Sequence, residues 1–283
     1  MLLSSVKEIQ KILDDYKISP KKGLGQNFLI DKNVVEHIIK SVFSCDSDKN
    51  NCILEIGPGL GVLSHQLAKN AGKLICIETD KDMINILENT LLPTYSNVLL
   101  EKCDFLKYDL SKLEFDKKIT AVGNLPYYIT TPIIEKIIDN RNLFSSLTIM
   151  IQKEVFKRMK ALPGSKEYGA LSVFIQYYMG IKLVCDVSKN CFYPAPKVDS
   201  CVVRLEVSNK PRVQVKDEKI FFQIVRSAFG KRRKTLLNAL SNSTFLYWSK
   251  EKVLDVLKKS EIDPNLRGET LNLEEFAKIA NNI

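Results

Sequence analysis

From Asn51 onward the chain alternates short, unbroken apolar runs with stretches of helical periodicity. The runs are C-I-L-E-I (52–56), L-I-C-I-E (74–78), V-L-L-E (98–101), I-T-A-V (119–122) and S-L-T-I-M-I (146–151). Between them, V-L-S-H-Q-L-A-K-N-A (62–71), D-M-I-N-I-L-E-N-T-L (82–91) and a segment after Pro132 carry apolar residues at helical spacing. Strands that are apolar on both faces, separated by helices, predict a parallel sheet covered on both sides. Two later runs, I-K-L-V-C-D-V (181–187) and S-C-V-V-R-L-E-V (200–207), are joined by a Pro-rich loop and predict an antiparallel hairpin that finishes the sheet. S-N-K-P-R (208–212) reads as a linker. Beyond it, periodic stretches at 217–229, 232–241, 249–260 and 271–281 predict a small all-helical domain. The expected architecture is therefore an α/β domain over 1–207 followed by a helical domain over 208–283.

Composition narrows the chemistry. With 45% hydrophobic and 27% charged residues over 283 positions, the chain is globular rather than disordered. The longest uncharged stretch, Ile119 to Ile134, is broken by Pro126 and Pro132 and is too short to span a bilayer. The N-terminus meets charge by Lys7 before any apolar signal core develops, so no membrane partner and a cytoplasmic location are expected. The seven cysteines (Cys45, Cys52, Cys76, Cys103, Cys185, Cys191, Cys201) are odd in number and form no C-x-x-C, which predicts reduced, packed thiols. His37 and His65 are the only histidines, and each sits beside apolar residues that give it a structural reading. No metal site is expected, and imidazole acid–base chemistry is poorly supported.

The net charge of +9 is uneven. Residues 181–283 hold 19 Lys/Arg against 12 Asp/Glu, densest at Lys231-Arg232-Arg233-Lys234. A basic excess confined to one region favours a polyanion such as nucleic acid over a general solubility role.

The first strand runs into Glu55-Ile56-Gly57-Pro58-Gly59-Leu60-Gly61. Glycines there let the backbone turn tightly and approach a ligand at the carboxyl ends of the strands. The G-x-G-x-G spacing lacks the third small residue of the dinucleotide fingerprint, which would fall on Val62, and no G-K-[ST] follows. Pro58 also removes an N–H from the turn, which makes it a poor pyrophosphate cradle. Glu78 ends the second strand, where a carboxylate can accept the ribose hydroxyls of an adenosyl group. Asp104, after the third strand, is placed to accept from an adenine amine, while Asp80 reads as a helix cap. Together these point to an adenosyl ligand without pyrophosphate, and S-adenosylmethionine fits that description.

After the fourth strand comes Gly123-Asn124-Leu125-Pro126-Tyr127-Tyr128. With Gly25-Gln26-Asn27-Phe28-Leu29, E-I-G-P-G-L-G, F-Y-P-A-P-K-V-D-S (192–200) and the basic A-F-G-K-R-R-K-T-L-L-N-A-L (228–240), it makes the chain closely resemble the ribosomal RNA adenine dimethyltransferases. The likeness is to the bacterial small-subunit, kasugamycin-resistance branch, over essentially the whole chain. That resemblance implies a Rossmann-like S-adenosylmethionine-dependent methyltransferase domain plus a small helical domain. It implies cofactor contacts from Gln26, Asn27, Leu29, Gly57, Gly59, Glu78, Asp104, Phe105 and Asn124. It implies transfer of four methyl groups, two to each of two adjacent adenosines in the 3'-terminal hairpin loop of 16S rRNA, within immature small ribosomal subunits, by a monomer. At Gly61 it implies tolerance of other small residues.

The implied chemistry suits a chain poor in histidine. An exocyclic adenine nitrogen is a weak nucleophile because its lone pair is delocalised into the ring. The Asn124 side-chain oxygen and the Leu125 carbonyl, held by Pro126, can accept its two N–H bonds and keep it in line with a methyl donor. Tyr127 and Phe192 offer ring faces for an extruded base, and Tyr128 is expected to pack in the core. Lys231, Arg232, Arg233 and Lys234 are expected on RNA phosphates. A large-subunit rRNA dimethylase of the antibiotic-resistance type is the nearest rival; P-x-P-x-V-D-S and the Leu of N-L-P-Y, where that type has Ile, argue against it. A ribosome-assembly checkpoint whose catalysis is dispensable is the other, against which the intact Glu78, Asp104 and Asn124 stand.

Overall fold

The structure, a computed structural model, describes residues 5–44, 51–113 and 115–283. Among the described residues nine strands run in chain order: β1 (Phe28–Leu29), β2 (Cys52–Ile56), β3 (Lys73–Glu78), β4 (Val98–Lys102), β5 (Ile119–Asn124), β6 (Phe144–Gln152), β7 (Met179–Val187), β8 (Phe192–Tyr193) and β9 (Ser200–Val207). Seven form one sheet in the order β4-β3-β2-β5-β6-β9-β7. The first five are parallel neighbours, and β9 joins β6 antiparallel, Ile149 opposite Val203. The chain moves outward from β2 to β4, then returns to β5 on the other side of β2. That reversal opens a crevice at the carboxyl ends of β2 and β5, the place where open α/β sheets bind ligands.

The expected strands form, and the late pair β7 and β9 are neighbours at the sheet edge. The short pair β1 and β8 was not expected: Phe28 lies opposite Tyr193 and Leu29 opposite Phe192. Two residues in each strand leave too little periodicity to read, yet the pair seats the G-Q-N-F-L segment on the F-Y-P loop.

Helices α1 (Val6–Asp15), α2 (Lys32–Val42), α3 (Ser64–Asn70), α4 (Lys81–Thr90) and α5 (Thr130–Asp139) flank the sheet. Val34, Val35, Ile38 and Val42 of α2 share a core with Leu67 of α3 and with sheet residues Ile53, Leu74 and Val122. Ile9, Ile12 and Leu13 of α1 pack with Phe28, Leu60, Met83 and Ile86 in a second cluster. Each such side chain contributes about 1.5–3 kcal/mol by leaving water.

The chain divides into two compact units, Met1–Lys153 with Ile181–Val207, and Glu154–Gly180 with Ser208–Ile283. One junction between the units falls at 207/208, and residues 154–180, expected in the α/β domain, group with the second unit. That segment forms α6 (Lys153–Lys160) and α7 (Ala170–Tyr178), which no strand-helix pattern announced. The reason is packing with α8 (Glu218–Gly230) of its own unit. Tyr177 stacks near Phe221 at 4.8 Å and Tyr178 near Phe222 at 5.8 Å, and the Tyr178 hydroxyl donates to Glu218 at 2.9 Å. Aromatic pairs add about 0.5–1.5 kcal/mol beyond area burial. α9 (Leu236–Ser241), α10 (Lys250–Lys259) and α11 (Leu273–Asn281) complete this unit. α9 starts later than the periodicity suggested, because the Thr235 side chain caps it by accepting from Asn238 N.

The six described cysteines are free thiols, as expected, with Cys52, Cys76 and Cys201 buried; Cys45 lies outside the described residues. His65 is buried edge-on to Tyr95 at 5.7 Å, and burial lowers its pKa to about 4, so it is a neutral core residue. Among the described residues no helix is long and apolar enough to cross a membrane.

Candidate active site

At the end of β2 the chain turns through Gly57, Gly59 and Gly61, all at positive φ. Gly61 donates its N–H to Pro58 O at 2.9 Å and has φ +82°, and a Cβ there would lie 3.0 Å from the Leu87 side chain. Any L residue is strained in that conformation, so a small side chain of the kind the resemblance implies would be accepted at a cost in strain and with a slight shift of Leu87.

Glu78, at the end of β3, is buried under this turn. Its Oε2 accepts from Gly59 N at 3.0 Å, and Oε1 accepts from Thr79 N at 2.8 Å and Asp80 N at 2.9 Å. Burial raises its pKa, and these three amides work against the rise. Asp80 caps α4 by accepting from Asp82 N, as expected. It also receives Lys21 Nζ at 2.6 Å and Gln26 Nε2 at 2.6 Å. Burial would raise the Asp80 carboxyl, but Lys21, the Asp82 amide and Gln26 outweigh it and hold it below the usual range. Gln26 Oε1 in turn accepts from Lys21 N at 2.8 Å. The Gln26 amide thus ties its segment to the Asp80 cap through Nε2 and to the Lys21 backbone through Oε1, and the residue also lines the cleft.

Gly25, at φ +62°, would bring a Cβ within 3.0 Å of Pro126 Cβ. Only a residue without Cβ lets the G-Q-N-F-L backbone approach the N-L-P-Y turn so closely. Asn124 closes the junction by donating Nδ2 to Asn27 O at 3.0 Å. Its side-chain oxygen has no hydrogen-bond partner among the described residues.

Gln26, Asn27, Leu29, Gly57, Gly59, Glu78, Asp104, Phe105 and Asn124 all line one cleft at the switch point, with about 1020 Å3 of space including the part open to solvent. Its titratable lining is acidic, with Glu55, Glu78 and Asp104 and no Lys, Arg or His. A second pocket is lined by Asn124, Leu125, Pro126, Tyr127 and Phe192 together with Gly25, Asn27 and Tyr128. Gly25, Asn27, Asn124, Leu125, Pro126 and Tyr128 border both. The predicted cofactor and catalytic residues therefore meet at one wall.

Within the second pocket, Leu125 and Phe192 are buried, and Phe192 also belongs to the core. Tyr127 is half-buried, with its hydroxyl 2.6 Å from Ser200 Oγ. Tyr128, expected in the core, is 64% exposed, because the 3-10 turn Tyr127–Ile129 points it outward at the pocket mouth. Sequence reading missed Lys21, Tyr128 and Ser200; the Ser inside F-Y-P-A-P-K-V-D-S was visible, but its partner lies 73 residues away.

In the helical unit, Lys231, Arg232, Arg233 and Lys234 are exposed, in the turn between α8 and α9 rather than on a helix start. They do not stand alike. Arg232 pairs with Glu269 at 2.6 Å and donates to Lys166 O, which holds the 165–166 loop. Lys231 Nζ donates to Asn242 O at 3.2 Å. Arg233 and Lys234 have no side-chain partner among the described residues.

The description "Ribosomal RNA adenine dimethylase" belongs to the family model that matches residues 17–283. The chain belongs to that family. A ribosomal RNA small subunit methyltransferase A of Alkaliphilus oremlandii is 46% identical over 285 residues, 99% of this chain and 98% of that protein. A dimethyladenosine transferase from Plasmodium falciparum, solved by crystallography, is 28% identical with a TM-score of 0.72, covering 89% of this chain and 95% of that one. The 23S rRNA methyltransferase ErmE, 21% identical with a TM-score of 0.66 over 90% and 99% of the two chains, shares the fold. The chain is accordingly a Rossmann-like, S-adenosylmethionine-dependent rRNA adenine dimethyltransferase, as the sequence indicated.

Proposed function

We propose that this enzyme dimethylates the 6-amino groups of two adjacent adenosines in the 3'-terminal hairpin loop of 16S rRNA, acting as a monomer in the cytoplasm on immature small subunits. The observation that supports the site assignment is the set of residues, Gly25, Asn27, Asn124, Leu125, Pro126 and Tyr128, that line both the cofactor cleft and the second pocket.

The cleft fits S-adenosylmethionine on the chemistry of its donors. An acidic lining without cations suits a cationic, phosphate-free ligand and disfavours a pyrophosphate. Glu78 would take the ribose; three amides occupy most of its roughly four acceptor positions, leaving about one for a hydroxyl rather than the pair expected. Asp104 and Phe105 would hold the adenine, and Asn27, Leu29 and the Gly57–Gly59 turn the remainder. The cofactor supplies an electrophilic methyl on a sulfonium.

The chain's own residues supply orientation. Asn124, its Nδ2 anchored on Asn27 O, presents its side-chain oxygen to the base pocket, where it accepts one amine N–H while the Leu125 carbonyl accepts the other. Pro126 sets the direction of that carbonyl. Two acceptors on one nitrogen hold it in line and favour a pyramidal, more nucleophilic form. The Tyr127 ring forms one wall for the flipped base and Phe192 the opposite wall. The methylated nitrogen becomes acidic and loses its proton to water, so no side-chain base is required. Arg233, Lys234 and Lys231 would meet phosphates. The test is mass spectrometry of the 3'-terminal hairpin after incubating immature small subunits, mature small subunits and large subunits with cofactor. Dimethylation confined to adjacent adenosines of the immature small particle is expected; modification of the large particle instead would reverse the assignment.

A further inference from the structure

Lys136, about two turns into α5, gives all three of its ammonium protons to main-chain carbonyls: Phe105 O at 2.7 Å, Leu106 O at 2.9 Å and Tyr108 O at 2.6 Å. An ammonium has three donors, so this one is saturated by protein. Its Nζ also stands 5.2 Å from the centre of the Phe105 ring. Burial pushes its pKa below the ordinary lysine range, and the nearby Asp104 carboxylate works against that fall. A lysine on a solvated helix face would do none of this.

The segment it grips is a single helical turn that caps itself. Asp104 Oδ1 accepts from Leu106 N at 2.9 Å, and Asp104 O accepts from Lys107 N at 2.9 Å and Tyr108 N at 3.0 Å. The trailing carbonyls of such a turn carry partial negative charge and lack partners of their own. Lys136 supplies those partners through charge-assisted bonds. Asp104 and Phe105, at the head of the turn, line the cofactor cleft. α5, which carries Lys136, starts at Thr130, directly after the N-L-P-Y turn.

We propose that Lys136 is a positioning residue that clamps the Asp104–Phe105 wall of the cofactor cleft to the helix leading from the target-base loop, so that cofactor affinity depends on this clamp. The proposal rests on the reading of Asp104 and Phe105 as adenine-binding residues. It also makes the two pockets mechanically linked: α5 touches the cofactor wall through Lys136 and the base pocket through the turn that precedes it. By linkage, the factor by which bound cofactor changes the affinity for the target base equals the factor by which bound base changes the affinity for cofactor.

The test is calorimetric titration of S-adenosylhomocysteine into the full-length parent, Lys136→Met, Lys136→Arg, Asp104→Ala and the double variant, with KM for S-adenosylmethionine and kcat on small subunits. Lys136→Met keeps the stem and removes the donors. Its affinity should fall about tenfold or more, with KM rising in step and kcat at saturating cofactor changing less than about threefold. A general loss of packing would not produce that split. Lys136→Arg keeps the charge, but a planar guanidinium cannot reach all three carbonyls, so its loss should be intermediate. In the double variant, Lys136→Met should add less than about twofold to the loss caused by Asp104→Ala, because both act on the same turn. Affinity of Lys136→Met within twofold of the parent, or fully multiplicative losses in the double variant, would overturn the clamp while leaving the reading of Asp104 intact. Parent-like affinity in Asp104→Ala would instead sink that reading, and the clamp with it. If Lys136→Met fails to fold, Lys136→Arg decides: a loss of fivefold or more supports the clamp, and parent-like binding overturns it.

Discussion

The Tyr127 hydroxyl and Ser200 Oγ stand 2.6 Å apart, fastening the aromatic ring of the N-L-P-Y turn to the first residue of β9. This bond fixes where the far end of the ring sits, because Ser200 is fully buried and held in the sheet. Tyr127→Phe, which keeps the ring, should stay much closer to the parent than Tyr127→Ala. The bond to Ser200 adds a smaller loss for removal of the hydroxyl alone. Tyr127→Phe and Ser200→Ala should each lose about 0.5–1.5 kcal/mol of transition-state binding, a few-fold in kcat/KM, whereas Tyr127→Ala should lose about 1–3 kcal/mol. Parent-like kcat/KM for Ser200→Ala on small subunits would show that the ring keeps its place without the bond.

Asn124→Ala removes a preorganised acceptor, and with it the tie to Asn27 O. At saturating cofactor its kcat should fall a hundred- to a thousand-fold, the about 2.7–4 kcal/mol typical of one such group. Running the assay at several cofactor concentrations separates this from the weaker cofactor binding that loss of the Asn27 tie should cause. Near-parent turnover under saturation would remove Asn124 from catalysis.

Glu78 receives three backbone amides, so Glu78→Ala should leave Gly59, Thr79 and Asp80 N–H groups without their acceptor as well as losing a ribose contact. Cofactor affinity should drop at least tenfold by calorimetry, with little change in the affinity for small-subunit RNA at fixed salt. Unchanged cofactor affinity would contradict the assignment.

Glu55 is buried beneath the glycine turn, with Cys76 Sγ at 3.7 Å, and burial raises its pKa to about 7. The sign follows from the proton count. Between the ordinary carboxyl value and about pH 7 the unfolded chain has released this proton and the folded chain keeps it, so stability falls as pH rises through that window. Glu55→Gln should abolish this share of the slope, at most about 3 kcal/mol, and melt higher than the parent at pH 8. Thermal melts of both proteins from pH 5 to 8 give the difference; a variant that melts lower at pH 8 would show that the carboxylate is stabilised in place.

Arg232 and Arg233 are adjacent in sequence and should separate in function. Arg233→Ala should flatten the log-log salt dependence of RNA binding by about 0.7–0.9 and leave the melting temperature unchanged. Arg232→Ala breaks the bond to Glu269 and should instead lower the melting temperature of the helical unit, with a smaller change in salt slope. Equal slopes for the two variants would restore Arg232 to the phosphates.

The strands 52–56, 74–78 and 146–151, the glycine turn and the Asp80 cap were legible because each depends on local chemistry. Strand burial needs apolar runs, a tight turn needs glycine, and a helix start needs a short polar side chain, all within a few residues of one another. What the sequence could not supply are pairings across long separations. Leu29 meets Phe192, Asn124 meets Asn27, Tyr127 meets Ser200, and Lys136 meets the 105–108 carbonyls, none marked by periodicity. Residues 154–180 join the helical unit because Tyr177 and Tyr178 find their ring partners on α8, more than 40 positions later. Arg232 looks like its basic neighbours until Glu269 is brought beside it. Composition and spacing determine which groups this protein has available for methyl transfer to adenine. The tertiary fold decides which of them are free to use it and which are spent holding others in place, because each donor or acceptor can serve only as many partners as its geometry allows.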